Sequence, residues 1–406
     1  MAPRQDLADR LKRAREDAGL TQQQVADWLE VRRPAIAEIE NGDRAVKSSE
    51  LVRLAALYGR SISWIVEGEL HAEDKIAAAL FRADTDDDPA LHREAASLAK
   101  RCAVVFDLER KLKAEVGSRA PEYADGTALN DWSQAMYHGK RVAYQERARL
   151  GIGDHAPLRD PWGVVEDAGV RVFPLGLGDD HAIDGIFTRS AAGQACVGVN
   201  VGKWVFRQVF TVVHEYGHAL MDADLSGEAC ATNRGWSQKG SRYANRERRA
   251  NQFAAVFLVP REAVLWFLES RGKLTGGPRR PRAAGLSAVE LVRAQDHFGA
   301  SGDMILWRLQ NERLIDAAER KRLQEEINRR GTVALARSLG YDFRRFAQPF
   351  YRAHEIALRA YAAGEVSLGG VAEIFDLPKE QMRARLQEWG VEQEYEEGDV
   401  LVGGAV

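Results

Sequence analysis

Between Thr211 and Met221 the chain reads Thr-Val-Val-His-Glu-Tyr-Gly-His-Ala-Leu-Met, three ionisable side chains set in an apolar run. Val209, Phe210, Val212, Val213, Tyr216, Ala219, Leu220 and Met221 leave almost no polar face, and a helix apolar nearly all round is a buried one. Burying His214, Glu215 and His218 needs a reason, because buried charge must be paired or bound to a metal. His214 and His218 are four apart, which on a helix puts both imidazoles on one face, one turn apart. Two such nitrogens can hold one zinc ion, and Glu215 can hold a water beside it. Zinc lowers the pKa of that water toward ~7, and a carboxylate takes its proton as it attacks a carbonyl. This chemistry points to peptide-bond hydrolysis. The plainer alternative is a core helix whose histidines hydrogen-bond to their neighbours.

A catalytic zinc needs a third protein ligand and one open position. The best candidate is Glu247, at the head of Glu-Arg-Arg-Ala-Asn-Gln-Phe-Ala-Ala-Val-Phe-Leu-Val-Pro260. Ala250, Phe253, Ala254, Phe257 and Leu258 fall at helical spacing, and Pro260 marks the end. Glu247 and Asn251 share a face, so Glu247 can bind the metal while Asn251 orients a ligand histidine. On spacing alone, a solvated Glu247 among Arg246, Arg248 and Arg249 fits equally well. Upstream, Gln194–Asn200 reads as a short strand, Ile183–Phe187 as its partner and Ser190–Gly193 as the turn between them.

Arg207-Gln-Val-Phe-Thr-Val-Val-His-Glu-Tyr-Gly-His218, followed by Glu-x-x-Ala-Asn-x-Phe-Ala-Ala-x-x-Leu-x-Pro, resembles the ImmA/IrrE metallopeptidases of bacteria and phages. The resemblance runs from about Ala156 to Pro260. It implies a zinc site of His214, His218 and Glu247, with Glu215 as catalytic base. Asn251 stands where thermolysin-like enzymes carry an aspartate. Members of this family switch genes on by cutting repressors.

Residues 5–67 carry a second pattern. Leu7, Leu11, Ala14 and Leu20 suggest one helix, and Thr21 caps another over Gln22–Leu29. Pro34 suits the first turn of a third, which Asn41-Gly42 stops; Ser48 or Ser49 caps a fourth running to Tyr58. Trp64-Ile65-Val66 closes the core. Gly19-Leu-Thr-Gln-x-x-Val-Ala26 and Ile36-Ala-Glu-Ile-Glu-Asn-Gly42 resemble the Xre-type, phage-repressor-like helix-turn-helix domain. That resemblance implies binding to double-stranded DNA through residues 1–70. Gln22 would sit at the backbone or a base, Arg32, Arg33 and Ala37 would face the groove, and Arg44 and Lys47 would neutralise phosphates. Ala35, Ala37 and Glu38 offer few base-reading donors, and a helical module for protein contact is the plainer alternative.

The net charge of −3 gives no global push toward nucleic acid, so any DNA contact must be local. Cys102, Cys196 and Cys230 are odd in number and scattered, which suggests no disulfide framework and fits a reducing cytoplasm. No apolar stretch is long enough to span a membrane, and the N-terminus reads without a signal peptide. Residues 71–128 read as a helical connector, with Lys75–Phe81 and Leu91–Val116 as helices around an acidic loop at Asp84–Pro89. Asn130–Leu150 reads as the first helix of a peptidase domain over 129–315. Arg271–Gly285 is a basic loop broken by Gly and Pro, and helices follow at Ser287–His297 and Gly302–Arg313. Residues 316–406 form a helical region in which Ser367–Phe375 and Lys379–Trp389 have the spacing of a second helix-turn-helix, with an acidic tail at Glu392–Asp399.

The expected fold is mainly α with a small β-sheet (α+β). The expected function is a cytoplasmic, DNA-binding, Zn2+-dependent endopeptidase acting on a protein substrate, a repressor, with a homodimer on DNA. The alternatives are a transcription factor using the zinc fold as a sensor without proteolysis, and the toxin of a toxin–antitoxin pair.

Overall fold

A computed structural model of the chain describes residues 4–17, 20–29, 31–58, 65, 89–113, 120–181, 183–189, 194–222, 229–233, 242–347 and 351–392. Among the described residues the fold is mainly helical with a small four-stranded sheet and a two-stranded hairpin, the mainly α with small β-sheet class expected from the sequence. The expected helix at 75–81, the acidic loop at 84–88, the turn at 190–193 and the tail beyond 392 lie outside the described residues.

The N-terminal helices are α1 (Arg4–Asp17), α2 (Gln22–Leu29), α3 (Arg33–Glu40) and α4 (Ser48–Tyr58). Thr21 and Gln24 cap α2 reciprocally: the Thr21 N–H donates to Gln24 Oε1 at 2.8 Å, and the Gln24 N–H to Thr21 Oγ1 at 3.3 Å. Asn41 and a left-handed Gly42 end α3. Leu11, Ala14, Val25, Ala26, Leu29, Ile36, Ile39, Leu54, Tyr58 and Ile65 form one core. Ile65 is the described member of the expected Trp64–Val66 closure.

The main sheet comprises β1 (Val170–Leu175), β2 (Ile183–Arg189), β3 (Ala195–Asn200) and β4 (Ala229–Asn233), ordered β1-β3-β2-β4. β1 runs parallel to β3, and β2 is antiparallel to both β3 and β4. Side chains alternate between two buried faces. Val170, Val172, Phe187, Val197 and Val199 face one core; Phe173, Leu175, Ile186 and Cys196 face the other. Cover on both faces explains why β3, Ala-Cys-Val-Gly-Val-Asn, is buried at every position. Pro174 is tolerated because β1 is an edge strand.

On the first face lie α6 (Trp132–Arg149), α7 (Pro161–Asp167), α8 (Val205–Met221) and α9 (Arg242–Leu258), continued by α10 (Arg261–Glu269), α11 (Ala288–Phe298), α12 (Gly302–Asn311), α13 (Ala317–Arg330) and α14 (Thr332–Ser338). The basic stretch after α10 contains a small hairpin, β5 (Leu274–Thr275) with β6 (Arg282–Ala283), where the sequence reads as an irregular loop. The second face is covered by α5 (Pro89–Lys111) together with α15 (Arg352–Ala362), α16 (Leu368–Ile374) and α17 (Lys379–Trp389). A buried ion pair, Arg171 Nε to Glu109 Oε1 at 2.5 Å, ties α5 to β1, and Arg101 donates to the Pro174 carbonyl at 3.2 Å. The helix of the segment read as a connector therefore packs on the sheet itself.

His354 of α15 stacks on Phe375 with ring centroids 4.1 Å apart. Burial, then the Arg101 and Arg385 charges on α5 and α17, holds its pKa down at about 4. The unfolded chain takes up that proton below pH ~6.5, so the stabilisation is complete above 6.5 and is lost as pH falls toward 4. Wild type is expected to lose about 2 kcal/mol between pH 7 and pH 5 from this group. Urea midpoints at both pH values check it: His354→Phe keeps the ring stack and should lose that part of the pH dependence.

Candidate metal centre and nucleic-acid interface

α8 runs between the sheet and α9, and of its 17 residues only Arg207 and Phe210 are partly exposed. The Gln208 side chain secures its first turn by donating to the carbonyls of Val201 at 3.0 Å and Lys203 at 2.7 Å. Glycines let the neighbours come close. A Cβ on Gly185 of β2 would lie 2.4 Å from Thr211 Cγ2 and 3.0 Å from Glu215 Oε1. A Cβ on Gly139 of α6 would lie 2.3 Å from the Arg249 carbonyl oxygen of α9.

A Cβ on Gly217 of α8 would lie 2.9 Å from Phe253 Cδ1 and 3.5 Å from the Ala250 Cα of α9, and this close packing of α8 on α9 brings His214, His218 and Glu247 together. The two Nε2 atoms are 3.1 Å apart. Glu247 reaches over from α9 with Oε2 3.4 Å from His214 Nε2 and Oε1 3.3 Å from His218 Nε2. Zinc bonded at about 2.0–2.1 Å in a tetrahedron separates adjacent donors by about 3.3 Å. The two imidazole nitrogens are close to that spacing, and Glu247 turns one oxygen to each of them; with one donor atom from each of the three side chains lying within 4.8 Å of the others, they could hold one zinc ion and leave a position for a water or substrate. Phe187 stacks on His218 and Phe210 tilts toward His214, an apolar frame around the donors.

The field at the site calls for positive charge. Burial pushes the His218 imidazole toward neutrality, yet Glu247 and Asp222 outweigh it and raise its pKa well above the ordinary value. Glu247 is pushed up by burial but held below the carboxylate range by His218 and His214. A dication placed among these donors answers the same field. Glu215 is fully buried on α8 beside Gly185, outside the three-donor group.

The sequence reading missed what orients His218. Asp222, the first residue past α8, accepts from His218 Nδ1 at 2.7 Å through Oδ2. Its Oδ1 faces Arg249 and, at 3.3 Å, Arg246 Nε. Burial pushes the Asp222 carboxyl up, but His218, Arg249 and Arg246 lower it overall. Arg249 is itself buried and also donates to the Met221 carbonyl at 3.1 Å. Asn251, expected in the orienting role, is exposed. The inward stripe of α9 is Ala250, Phe253, Ala254 and Phe257, and four residues rotate Asn251 about 40° past Glu247, off that stripe. The i,i+4 relation of His218 to an aspartate at the helix end was the available signal. Arg207, on the same helix, is held by Asp184 of β2.

In the helix-turn-helix, Arg32 and Arg33 are exposed at the start of α3, and Ala37 is half-buried. Arg33 donates to Gln22 Oε1 at 3.3 Å, and Gln22 Nε2 donates to Glu40 at 2.9 Å. Glu40 is buried and grips Arg15 of α1 through two bonds of 2.6 and 3.0 Å, so Gln22 belongs partly to the internal lock between helices. Arg44 pairs with Glu50 at 2.6 Å, whereas Lys47 is exposed.

A family model described as a helix-turn-helix domain matches residues 6–63, and one described as an IrrE N-terminal-like domain matches residues 165–276. No curated protein and no solved structure matches the chain.

Proposed function

Since the chain carries a helix-turn-helix domain and an IrrE-like peptidase domain, we propose that it is a DNA-binding, zinc-dependent endopeptidase that cleaves a repressor protein to control gene expression. The observation that carries this reading is the convergence of His214, His218 and Glu247, each with a donor atom within 4.8 Å of the others, with a buried Glu215 on the same helix as the histidines.

His214 Nε2, His218 Nε2 and a Glu247 oxygen would hold the zinc. When bound, zinc supplies a Lewis acid that polarises the scissile carbonyl and acidifies a water toward pKa ~7. Glu215 would take a proton from the attacking water as the water's oxygen bonds to the carbonyl carbon. Its carboxyl then gives the proton to the amine nitrogen as the C–N bond breaks. Asp222 fixes the His218 ring through Nδ1, and Arg249 and Arg246 hold Asp222 in turn, so the donor at Nε2 keeps its direction.

Residues 1–70 would bind double-stranded DNA as a homodimer, keeping the peptidase of residues 129–315 at an operator, in the cytoplasm. No helix among the described residues is long and apolar enough to cross a membrane. Of the expected DNA contacts, exposed Arg33 at the head of α3 is the best placed to read a base. Arg33→Ala is expected to weaken operator binding about tenfold, measured by fluorescence anisotropy at fixed salt. An unchanged affinity would assign this helix to protein contact. The peptidase reading is tested by incubating the zinc-loaded chain with candidate repressors: site-specific cleavage supports it, and failure to cut any repressor favours a zinc-fold regulator without proteolysis.

A further inference from the structure

A cleft of about 960 Å³ lies where the 153–159 loop meets the C-terminal parts of α10 and α11 and the turn at 341–346. None of its lining residues belongs to the His214–His218–Glu247 group. Four arginines line it, Arg159, Arg271, Arg293 and Arg345, against two acids, Asp154 and Asp296. Two of the arginines are occupied: Arg345 pairs with Asp296 and Arg293 with Glu290, each at 2.9 Å. Asp154 lies within the electrostatic reach of the buried Arg147 guanidinium. Arg159 and Arg271 form no ion pair among the described residues.

The Arg271 guanidinium lies over the Phe267 ring, 4.5 Å from its centroid, and both it and Arg159 act on His297. Burial, then Arg271 and Arg159, holds this imidazole below its ordinary pKa. It is neutral at pH 7, and its buried Nε2 has no hydrogen-bond partner among the described residues. Trp266 stacks on His297 with ring centroids 6.0 Å apart, and the indole remains 47 % exposed. The cleft thus combines two forked cations without an ion-pair partner among the described residues and a half-open aromatic ring.

Guanidinium forks match phosphate oxygens bidentately, and an exposed indole stacks on a planar heterocycle. The volume is that of a small-molecule site. We propose that this cleft binds a free nucleotide, its phosphates on Arg159 and Arg271 and its base against Trp266. The 153–156 segment of the wall is tied to the peptidase core: Arg147 donates to the carbonyls of Gly153 and Ala156 at 2.7 and 2.6 Å and to that of Phe257, in α9, at 2.7 Å. The site is independent of the zinc reading, because it shares no residue with it.

Titration calorimetry of the full chain tests this with ATP, GTP, adenosine, inorganic pyrophosphate and a short oligothymidylate. ATP or GTP should bind saturably at one site, and adenosine at least tenfold more weakly. Arg159→Gln with Arg271→Gln should weaken nucleotide binding tenfold or more, and Trp266→Ala should do so for the nucleotide but not for pyrophosphate. All three side chains are exposed, and thermal unfolding verifies that the variants fold. The proposal is overturned if neither nucleotide binds, if the arginine variant binds equally well, or if pyrophosphate binds as tightly as the nucleotide. It is equally overturned if the oligonucleotide alone binds through these residues.

Discussion

Glu215→Gln should keep its metal and lose hydrolysis, with kcat down on the order of 10³-fold. Glutamine has the same shape, so the fully buried position between α8 and Gly185 of β2 remains filled. Glu215 is not one of the three converging donors, so zinc content should stay at the wild-type level. The amide, however, cannot accept the water's proton or return one to the amine. Cleavage of a repressor followed by gel and mass spectrometry, beside metal analysis of both proteins, separates these effects. A fall of less than tenfold would remove Glu215 from the chemistry, and loss of zinc would make it part of the metal site.

Gly139→Ala should be among the most destabilising single-methyl changes in the molecule. The added carbon would meet backbone on α9, 2.3 Å from the Arg249 oxygen and 3.2 Å from the Phe253 nitrogen, and neither can swing aside as a side chain would. Overpacking costs about 1–3 kcal/mol and occasionally more, and here the upper end is expected because two helices must separate. α9 carries both Glu247 and Arg249, so the same shift should weaken zinc binding. Gly153→Ala is the control, since its Cβ would meet only Ala156 Cβ at 4.0 Å. Thermal midpoints of the two variants should differ by several degrees; equal midpoints would mean that α6 and α9 are not in this contact.

What could be read from the chain was whatever rests on local pattern. α8 stood out because apolar residues surround His214, Glu215 and His218, and α9 because Ala250, Phe253, Ala254 and Phe257 keep helical spacing ahead of Pro260. β3 was legible in its β-branched residues, and β2 as its hairpin partner. β1 was not, since Arg171 and Pro174 interrupt it, and each is accommodated only by tertiary context, Glu109 for the first and an edge position for the second. β4, Ala-Cys-Ala-Thr-Asn, has little β-propensity and owes its state to pairing with β2. Asp222 carried one local signal, its i,i+4 relation to His218, but its hold by Arg249 and Arg246 is a long-range fact. Asn251 was misassigned because sharing a face at i,i+4 leaves a 40° error, enough to move a side chain from the site to solvent. The close approaches at Gly139 and Gly185 are long-range facts that no local pattern encodes.

Zinc stoichiometry of the purified chain, wild type beside Glu247→Ala, reaches furthest into this picture. One ion per wild-type chain and its loss, or at least a hundredfold weaker retention, in the variant is the outcome expected from two imidazoles and one carboxylate converging on one point. A wild-type chain that takes up no zinc, or a variant that holds it undiminished, would contradict the assignment of this site.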